Sequence, residues 1–138
     1  KYINLQELKL DYRSSKIEKN AIILKADFKL NYSSYDEIIK KNNYIKFQRE
    51  NSQPLKEKTS GSTFKNPPGK YAAKLIEQAG CKELKVGDAS VSKVHANFLI
   101  NNGNAKASDI EKLGNLVIKK VKDLFGITLE WEIKIIGK

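Results

Sequence analysis

Within five consecutive positions stand a hydroxyl, a cation and an amide: Ser62, Lys65 and Asn66. They lie in the run Thr59-Ser60-Gly61-Ser62-Thr63-Phe64-Lys65-Asn66-Pro67-Pro68-Gly69, the densest cluster of special residues in the chain. Glycine permits backbone angles that side chains forbid, and proline fixes φ while removing an amide donor. A loop that aims polar groups at a ligand uses this vocabulary, and so does an ordinary rigid turn; spacing alone leaves both readings open. A second group lies near the C-terminal end, where Glu130, Glu132 and Lys134 alternate with Leu129, Trp131 and Ile133. On a strand these charges share one face, which is a solvated face unless it meets the Ser62 loop.

Two arginines are nominated by scarcity. Of 26 basic residues only Arg13 and Arg49 are arginine. A lysine-biased composition leaves arginine chiefly where a planar, bidentate guanidinium is needed, or by chance on the surface. His95, the sole histidine, falls in an apolar run read as a strand, Val94 to Ile100, where a packed structural role competes with a ligand-facing one. Cys81 directly follows Ala79-Gly80 and reads as a small buried residue. No GxGxxG, P-loop or cysteine-histidine metal spacing occurs, so no metal is expected.

These groups need elements to position them. Leu5, Leu8 and Leu10 lead to Asp11-Tyr12-Arg13-Ser14-Ser15, a short structured segment delivering a polar cluster. Residues 21–30 are strand-like, an apolar run passing into alternation through Ala26, Phe28 and Leu30, and suit the last hairpin of a sheet. Ser34-Tyr35-Asp36-Glu37 has capping-box spacing, with Ile38, Ile39 and Ile45 as the apolar side of a helix ending near Arg49. Ala72, Leu75, Ile76 and Ala79 lie on one helical face before Gly80. A helix starting near Tyr71 would point its positive end at the Lys65-Asn66-Pro67 loop, where a phosphate is welcome. Gly87 to Ser92 reads as a turn and Asn101-Asn102-Gly103-Asn104 as another. Ser108-Asp109-Ile110-Glu111 opens a helix with Ile110, Leu113, Val117, Val121 and Leu124 on one face, ending at Gly126. Residues 127–136 form a final strand. The fold class is α+β, with mixed strands and about three helices in a compact domain over 32–138 and a separate segment over 1–31.

With 138 residues, 30% charged and 40% hydrophobic, the chain has a globular composition large enough for one real core. No apolar run approaches the ~20 residues of a membrane-spanning helix, and no signal-peptide pattern opens the chain. One cysteine allows no intramolecular disulfide, which fits a cytoplasmic protein. Methionine is absent even at the first position, so the chain reads as a fragment or processed piece. The net charge of +10 raises a polyanion-binding reading, but the basic residues are spread along the chain without a block. Most of the aromatics sit in apolar patterns and read as core.

The motifs, taken together, resemble those of the UDP-N-acetylenolpyruvoylglucosamine reductase family, flavoenzymes of bacterial cell-wall precursor synthesis. Gly61-Ser62-Thr63-Phe64-Lys65-Asn66-Pro67 is similar to its signature loop, and Tyr12-Arg13-Ser14-Ser15 to its Tyr-Arg-x-Ser. Arg49 to Pro54 is similar to its Arg-x-x-x-Gln-Pro, and Leu129-Glu130-Trp131-Glu132-Ile133 to its final Leu-Glu-x-Glu-Val/Ile. Gly87 to Ser92, His95 to Asn101 and Asn102 to Ala105 follow in the family's order. The ordered set covers nearly the whole chain.

The resemblance implies a two-step reaction. NADPH reduces FAD, and hydride then passes to the enolpyruvyl double bond of UDP-N-acetylglucosamine enolpyruvate, giving UDP-N-acetylmuramate. Ser62 matches the family's proton donor, and Arg13 and Glu132 match the residues that stabilise the enolic intermediate. Asn66 and Lys65 match positions contacting the UDP substrate; His95, Tyr12 and Arg49 are further substrate-pocket candidates. The family's N-terminal half, with its glycine/serine-rich pyrophosphate loop, has no counterpart here, and residues 1–31 resemble its tail. The expectation is therefore a chain that binds FAD poorly alone and does not turn over. Peptidoglycan synthesis, with its consequences for cell shape and division, is the implied setting; no nucleic acid, membrane or obligate protein partner is expected. The competing readings are a basic nucleic-acid-binding module and a non-catalytic UDP-sugar-binding remnant.

Overall fold

A computed structural model describes residues 1–137. The chain divides into two compact units, Lys1–Ser34 and Tyr35–Lys138.

The first unit contains α1 (Leu5–Leu8), whose N-terminus is closed reciprocally. Asn4 Oδ1 accepts from the Glu7 amide at 2.9 Å, and Glu7 Oε2 accepts from the Asn4 amide at 3.0 Å. A tight turn follows in which Asp11 and Ser14 exchange two backbone hydrogen bonds of 3.1 Å. The strand expected over 21–30 does not form: the segment is irregular, and Ile22, Leu24, Phe28 and Leu30 are exposed. An alternating pattern makes a strand only against a neighbour that satisfies its amides and carbonyls, and among the described residues none does so.

The second unit carries the core. Its sheet is antiparallel throughout, in the order β1-β4-β3-β2, built from β1 (Lys58–Ser62), β2 (Lys85–Val86), β3 (Ala89–Val91) and β4 (Phe98–Asn101). Two helices serve it, α3 (Ala72–Gln78) and α4 (Ala107–Phe125), with α4 packed on β2, β3, β4 and α3. Leu113, Val117 and Val121 of α4 meet Leu75 and Ile76 of α3, Ala89 and Val91 of β3, Leu99 of β4, and Phe64 and Leu129 from flanking segments. Among the described residues, four helices with one antiparallel sheet make the fold α+β.

Several expectations shift. The run Gly87–Ser92 is only half turn: Gly87-Asp88 links β2 to β3, and Ala89–Val91 is itself a strand. The strand expected from Val94 starts at Phe98, and His95 sits in the connecting loop, because Ser92 Oγ captures the amides of Val94 (3.1 Å) and His95 (3.3 Å). The N-cap of α4 is Lys106, two residues ahead of the expected box; its amide donates to Asp109 Oδ2 at 3.0 Å. Leu124, expected on the buried face, is exposed. The final strand shrinks to one bridge, Phe64 with Trp131, since only Lys65 and Thr63 are there to pair with it.

The helix expected before Arg49 exists as α2 (Tyr35–Ser52), but it buries none of its side chains, and Ile38, Ile39 and Ile45 are exposed. The expectation that most aromatics lie in the core fails for the same reason. Tyr2, Tyr12, Phe28, Tyr32, Tyr35, Tyr44 and Phe47, all ahead of β1, are exposed, as is Tyr71.

Candidate functional site

The Ser62 run is not the free loop its glycines and prolines suggest. Its first half is β1, paired Lys58 to Asn101 and Thr59 to Ile100, then thrown out of register before Ser62 pairs with Phe98. Gly61, at φ +89°, is where the strand kinks, in a region that L side chains rarely adopt. The kink presents Ser62, half-buried, at the end of the strand.

The next three residues are held on both edges. On one side the Thr63 amide donates to Asn97 O at 2.8 Å. The Phe64 amide donates to Asn97 Oδ1 at 2.9 Å, and Asn97 Nδ2 donates to Phe64 O at 2.8 Å. On the other side Glu132 N donates to Thr63 O, and Lys65 N donates to Glu130 O, both at 2.9 Å. Thr63 is fully buried, and its Oγ1 accepts from the Leu99 amide at 3.3 Å. These bonds settle what sequence left open: the segment bearing Glu132 does meet the Ser62 run.

Trp131 locks the pairing. Its ring lies 5.0 Å from Phe64, tilted by 41°, and its edge fills the space above Gly114 of α4. A Cβ at Gly114 would fall 1.9 Å from Trp131 Cη2, so only glycine admits the indole. Glu132 is half-buried beside this contact, with Oε2 sealed from solvent.

Lys65 is half-buried, and its Nζ reaches Glu130 Oε2 at 3.2 Å. Both side chains remain substantially exposed, so solvent screens the pair and an anionic ligand competes readily for the cation. Asn66 is exposed and has a structural duty: its Oδ1 accepts from the Ala72 amide at 2.9 Å, capping α3 across the two prolines. The helix was expected to begin near Tyr71, and Tyr71 is indeed its N-cap residue, but the capping oxygen comes from Asn66.

His95 stands in the β3–β4 loop, stacked edge-on against Phe98 with centroids 4.7 Å apart. Its Nδ1 accepts from the Asn97 amide at 3.3 Å, which ties it to the clamp on Phe64. Burial pushes its pKa below the ordinary 6.5, with nearby Lys82 acting in the same direction against the histidine's own backbone hydrogen bond and Glu77. Arg49 lies near the end of α2, where it lines a cleft of about 260 Å³ with Asn42, Ile45, Lys46 and Leu55. Tyr12 and Arg13 belong to the first unit, on the Asp11–Ser14 turn; Arg13 has a φ of +55° and its guanidinium lies 5.8 Å from the Tyr12 ring.

The second unit thus brings together Ser62, Lys65, Asn66, Glu132 and, through Asn97, His95. Sequence reasoning missed Asn97 and Gly114. Asn97 left a faint signal as a polar residue inside an apolar run; Gly114 left one as a glycine inside an amphipathic helix. Among the described residues no cluster of His, Cys, Asp and Glu could hold a metal ion, and no helix is long and apolar enough to cross a membrane.

Comparison with known proteins gives a consistent result. Residues 53–136 match the family model described as UDP-N-acetylenolpyruvoylglucosamine reductase, C-terminal domain. The chain is 48% identical over 133 residues to the UDP-N-acetylenolpyruvoylglucosamine reductase of Rickettsia bellii (strain RML369-C), covering 96% of this chain and 44% of that protein. It is 50% identical over 135 residues to the enzyme of that name from Rhodopseudomonas palustris (strain HaA2), covering 98% and 44%. Among solved structures, the UDP-N-acetylenolpyruvylglucosamine reductase (MurB) from Thermus caldophilus superposes with a TM-score of 0.76 at 37% identity, covering 92% of this chain and 46% of that one. The chain therefore spans less than half the length of the relatives it matches.

Proposed function

The chain belongs to the UDP-N-acetylenolpyruvoylglucosamine reductase family, and we propose that it forms the substrate-binding and proton-delivering part of such an enzyme. The reaction is reduction of the enolpyruvyl double bond of UDP-N-acetylglucosamine enolpyruvate to UDP-N-acetylmuramate, in cytoplasmic peptidoglycan precursor synthesis that cell shape and division depend on. The observation that carries this reading is the backbone pairing of Glu132 and Glu130 with Thr63 and Lys65, which draws one candidate carboxylate to the run that begins at Ser62.

FAD, reduced by NADPH, supplies hydride to the family's reaction when bound. The residues described here do not make a cradle for its pyrophosphate. The amides after Gly61 that might line one are already committed, Thr63 and Phe64 to Asn97 and Lys65 to Glu130. The flavin site is accordingly assigned mostly to the family's N-terminal half, and residues 1–31 are read as the tail of the domain that holds it, with 32–138 as the substrate domain.

The side chains have chemically distinct tasks in this reading. Hydride addition to a carboxylate-activated alkene leaves negative charge delocalised towards the carboxylate. Arg13 suits that charge, because a guanidinium can hold two carboxylate oxygens at once, and Glu132 completes the polar surround of the enolic intermediate. Ser62 Oγ donates the proton that quenches the carbanion-like carbon. A hydroxyl is a competent acid only towards a strongly basic, desolvated centre, which this intermediate provides. Lys65 and Asn66 are assigned to the UDP portion, and Tyr12, Arg49 and His95 are further candidates for contacting the substrate.

The test is a chimera joining the N-terminal half of the Rickettsia bellii reductase to this chain. Under anaerobic conditions the flavin-loaded chimera should oxidise NADPH beyond the single equivalent that reduces its flavin only when UDP-N-acetylglucosamine enolpyruvate is present. Ser62→Ala should lower that rate by at least about 100-fold with flavin still bound. A chimera that binds flavin and the UDP substrate, and whose flavin NADPH reduces but that substrate never reoxidises, would instead mark the chain as a non-catalytic UDP-sugar-binding remnant. Tight RNA binding that collapses with salt would favour the polyanion reading.

A further inference from the structure

We propose that Asn97 is the positioning residue for Ser62, acting through a two-point clamp on the main chain of Phe64. The inference rests on the reading of Ser62 as proton donor. Past Ser62 the β1–β4 ladder ends, yet the chain must run on in register to meet the Glu130–Glu132 segment. Asn97 replaces the missing ladder with its side chain. Its Oδ1 accepts from Phe64 N and its Nδ2 donates to Phe64 O, at 2.9 and 2.8 Å, the same pair of bonds that a neighbouring strand would exchange. Its own carbonyl accepts from Thr63 N at 2.8 Å. Asn97 is 4% exposed and Phe64 2%, so water cannot substitute for either bond.

At neutral pH no other side-chain type of this length offers an acceptor and a donor side by side without a charge. Leucine would fill the volume and satisfy neither group; aspartate would keep the acceptor, lose the donor and bury a charge. The clamp fixes Phe64 and Thr63, and Thr63 is covalently joined to Ser62. Ser62 is the last residue of the ladder, paired with Phe98, and on its other side it is held by what grips the two residues after it.

The test uses the flavin-loaded chimera described above, comparing wild type with Asn97→Ala and Asn97→Asp. Flavin absorbance separates reduction by NADPH, which asks nothing of Ser62, from reoxidation by UDP-N-acetylglucosamine enolpyruvate. Asn97→Ala should leave flavin reduction within about twofold of wild type and slow reoxidation by about 100-fold, the scale of an ångström-level misplacement. The solvent deuterium effect on reoxidation should rise, because the misplaced hydroxyl makes proton transfer limiting. Hydrogen exchange in peptides covering residues 62–66 should accelerate. Should Asn97→Ala fail to fold, Asn97→Asp carries the test. At neutral pH it should show the slowed reoxidation, and on acidification it should recover relative to wild type, since a protonated carboxyl again offers acceptor and donor side by side. Reoxidation at wild-type rate in either folded variant, or equal slowing of both half-reactions, would overturn the proposal. A wild-type chimera whose reduced flavin is not reoxidised by that substrate would instead refute the underlying functional reading.

Discussion

Replacing Gly114 by alanine sets two physical effects against each other in one experiment. In an ordinary helix interior, Gly→Ala stabilises by about 1 kcal/mol, because glycine loses more backbone freedom on folding. Gly114 lies in the middle of α4, so propensity alone predicts that gain. The structure predicts the opposite sign. The new Cβ would lie 1.9 Å from Trp131 Cη2 and 2.8 Å from Cζ2 and Cζ3, and a rigid indole wedged against Phe64 has little room to retreat. Overpacking of this sort costs about 1–3 kcal/mol. Displacing the ring also forfeits an aromatic pair worth about 1 kcal/mol. Set against the propensity gain, the net effect is a loss of about 1–3 kcal/mol.

Chemical denaturation measures it conveniently, because Trp131 is the sole tryptophan and reports its own environment by fluorescence. Gly114→Ala should lower the unfolding midpoint and red-shift the native emission. Far-UV circular dichroism should follow the same transition without loss of helix in the native baseline. The decisive control shortens the partner. In a Trp131→Leu background the alanine meets no ring, and the same substitution should now stabilise by about 1 kcal/mol. If Gly114→Ala stabilises the protein while Trp131 is present, the indole does not occupy the space above the glycine. The Glu132 segment would then not be held by this contact.

Other outcomes follow from single contacts. Removing the Asn66 side chain by Asn66→Ala should cost about 1 kcal/mol through the lost cap on α3, a loss that thermal melts detect without any ligand. His95 has a folded-state pKa below its ordinary 6.5, so the stability it contributes is present above that value and lost as pH falls towards the lowered folded value. Unfolding midpoints of wild type and His95→Gln should diverge at neutral pH and converge on acidification, and parallel curves would refute the assignment. Cys81 is fully buried, and burial raises its thiol pKa against the opposing pull of Lys120. Maleimide should therefore label the folded protein slowly and the denatured protein fast, with no cysteine labelling in Cys81→Ser.

Local signals in the sequence were reliable wherever an element's partner was nearby or its end was marked. The face Ala72, Leu75, Ile76 and Ala79 predicted α3, and the buried Leu113, Val117 and Val121 predicted α4, because a helix closes its own backbone hydrogen bonds and its apolar stripe needs only some core to face. Strands gave way for the opposite reason. Residues 21–30 and 127–136 carry comparable alternation, yet one pairs with no described residue and the other pairs at a single bridge. Alternation states which side chains share a face and is silent about what supplies the ladder.

The site divides along the same line. Residue types nominated candidates for the chemistry: a hydroxyl, a cation and an amide within five positions, and a carboxylate on the last apolar segment, in an order specific enough to indicate the family. What only the tertiary structure decided was how Ser62 and Glu132 come to adjoin. The agents are an asparagine imitating a strand and a glycine making way for a tryptophan. Neither could be read from spacing, because each acts across long stretches of chain, on groups that become neighbours only after folding.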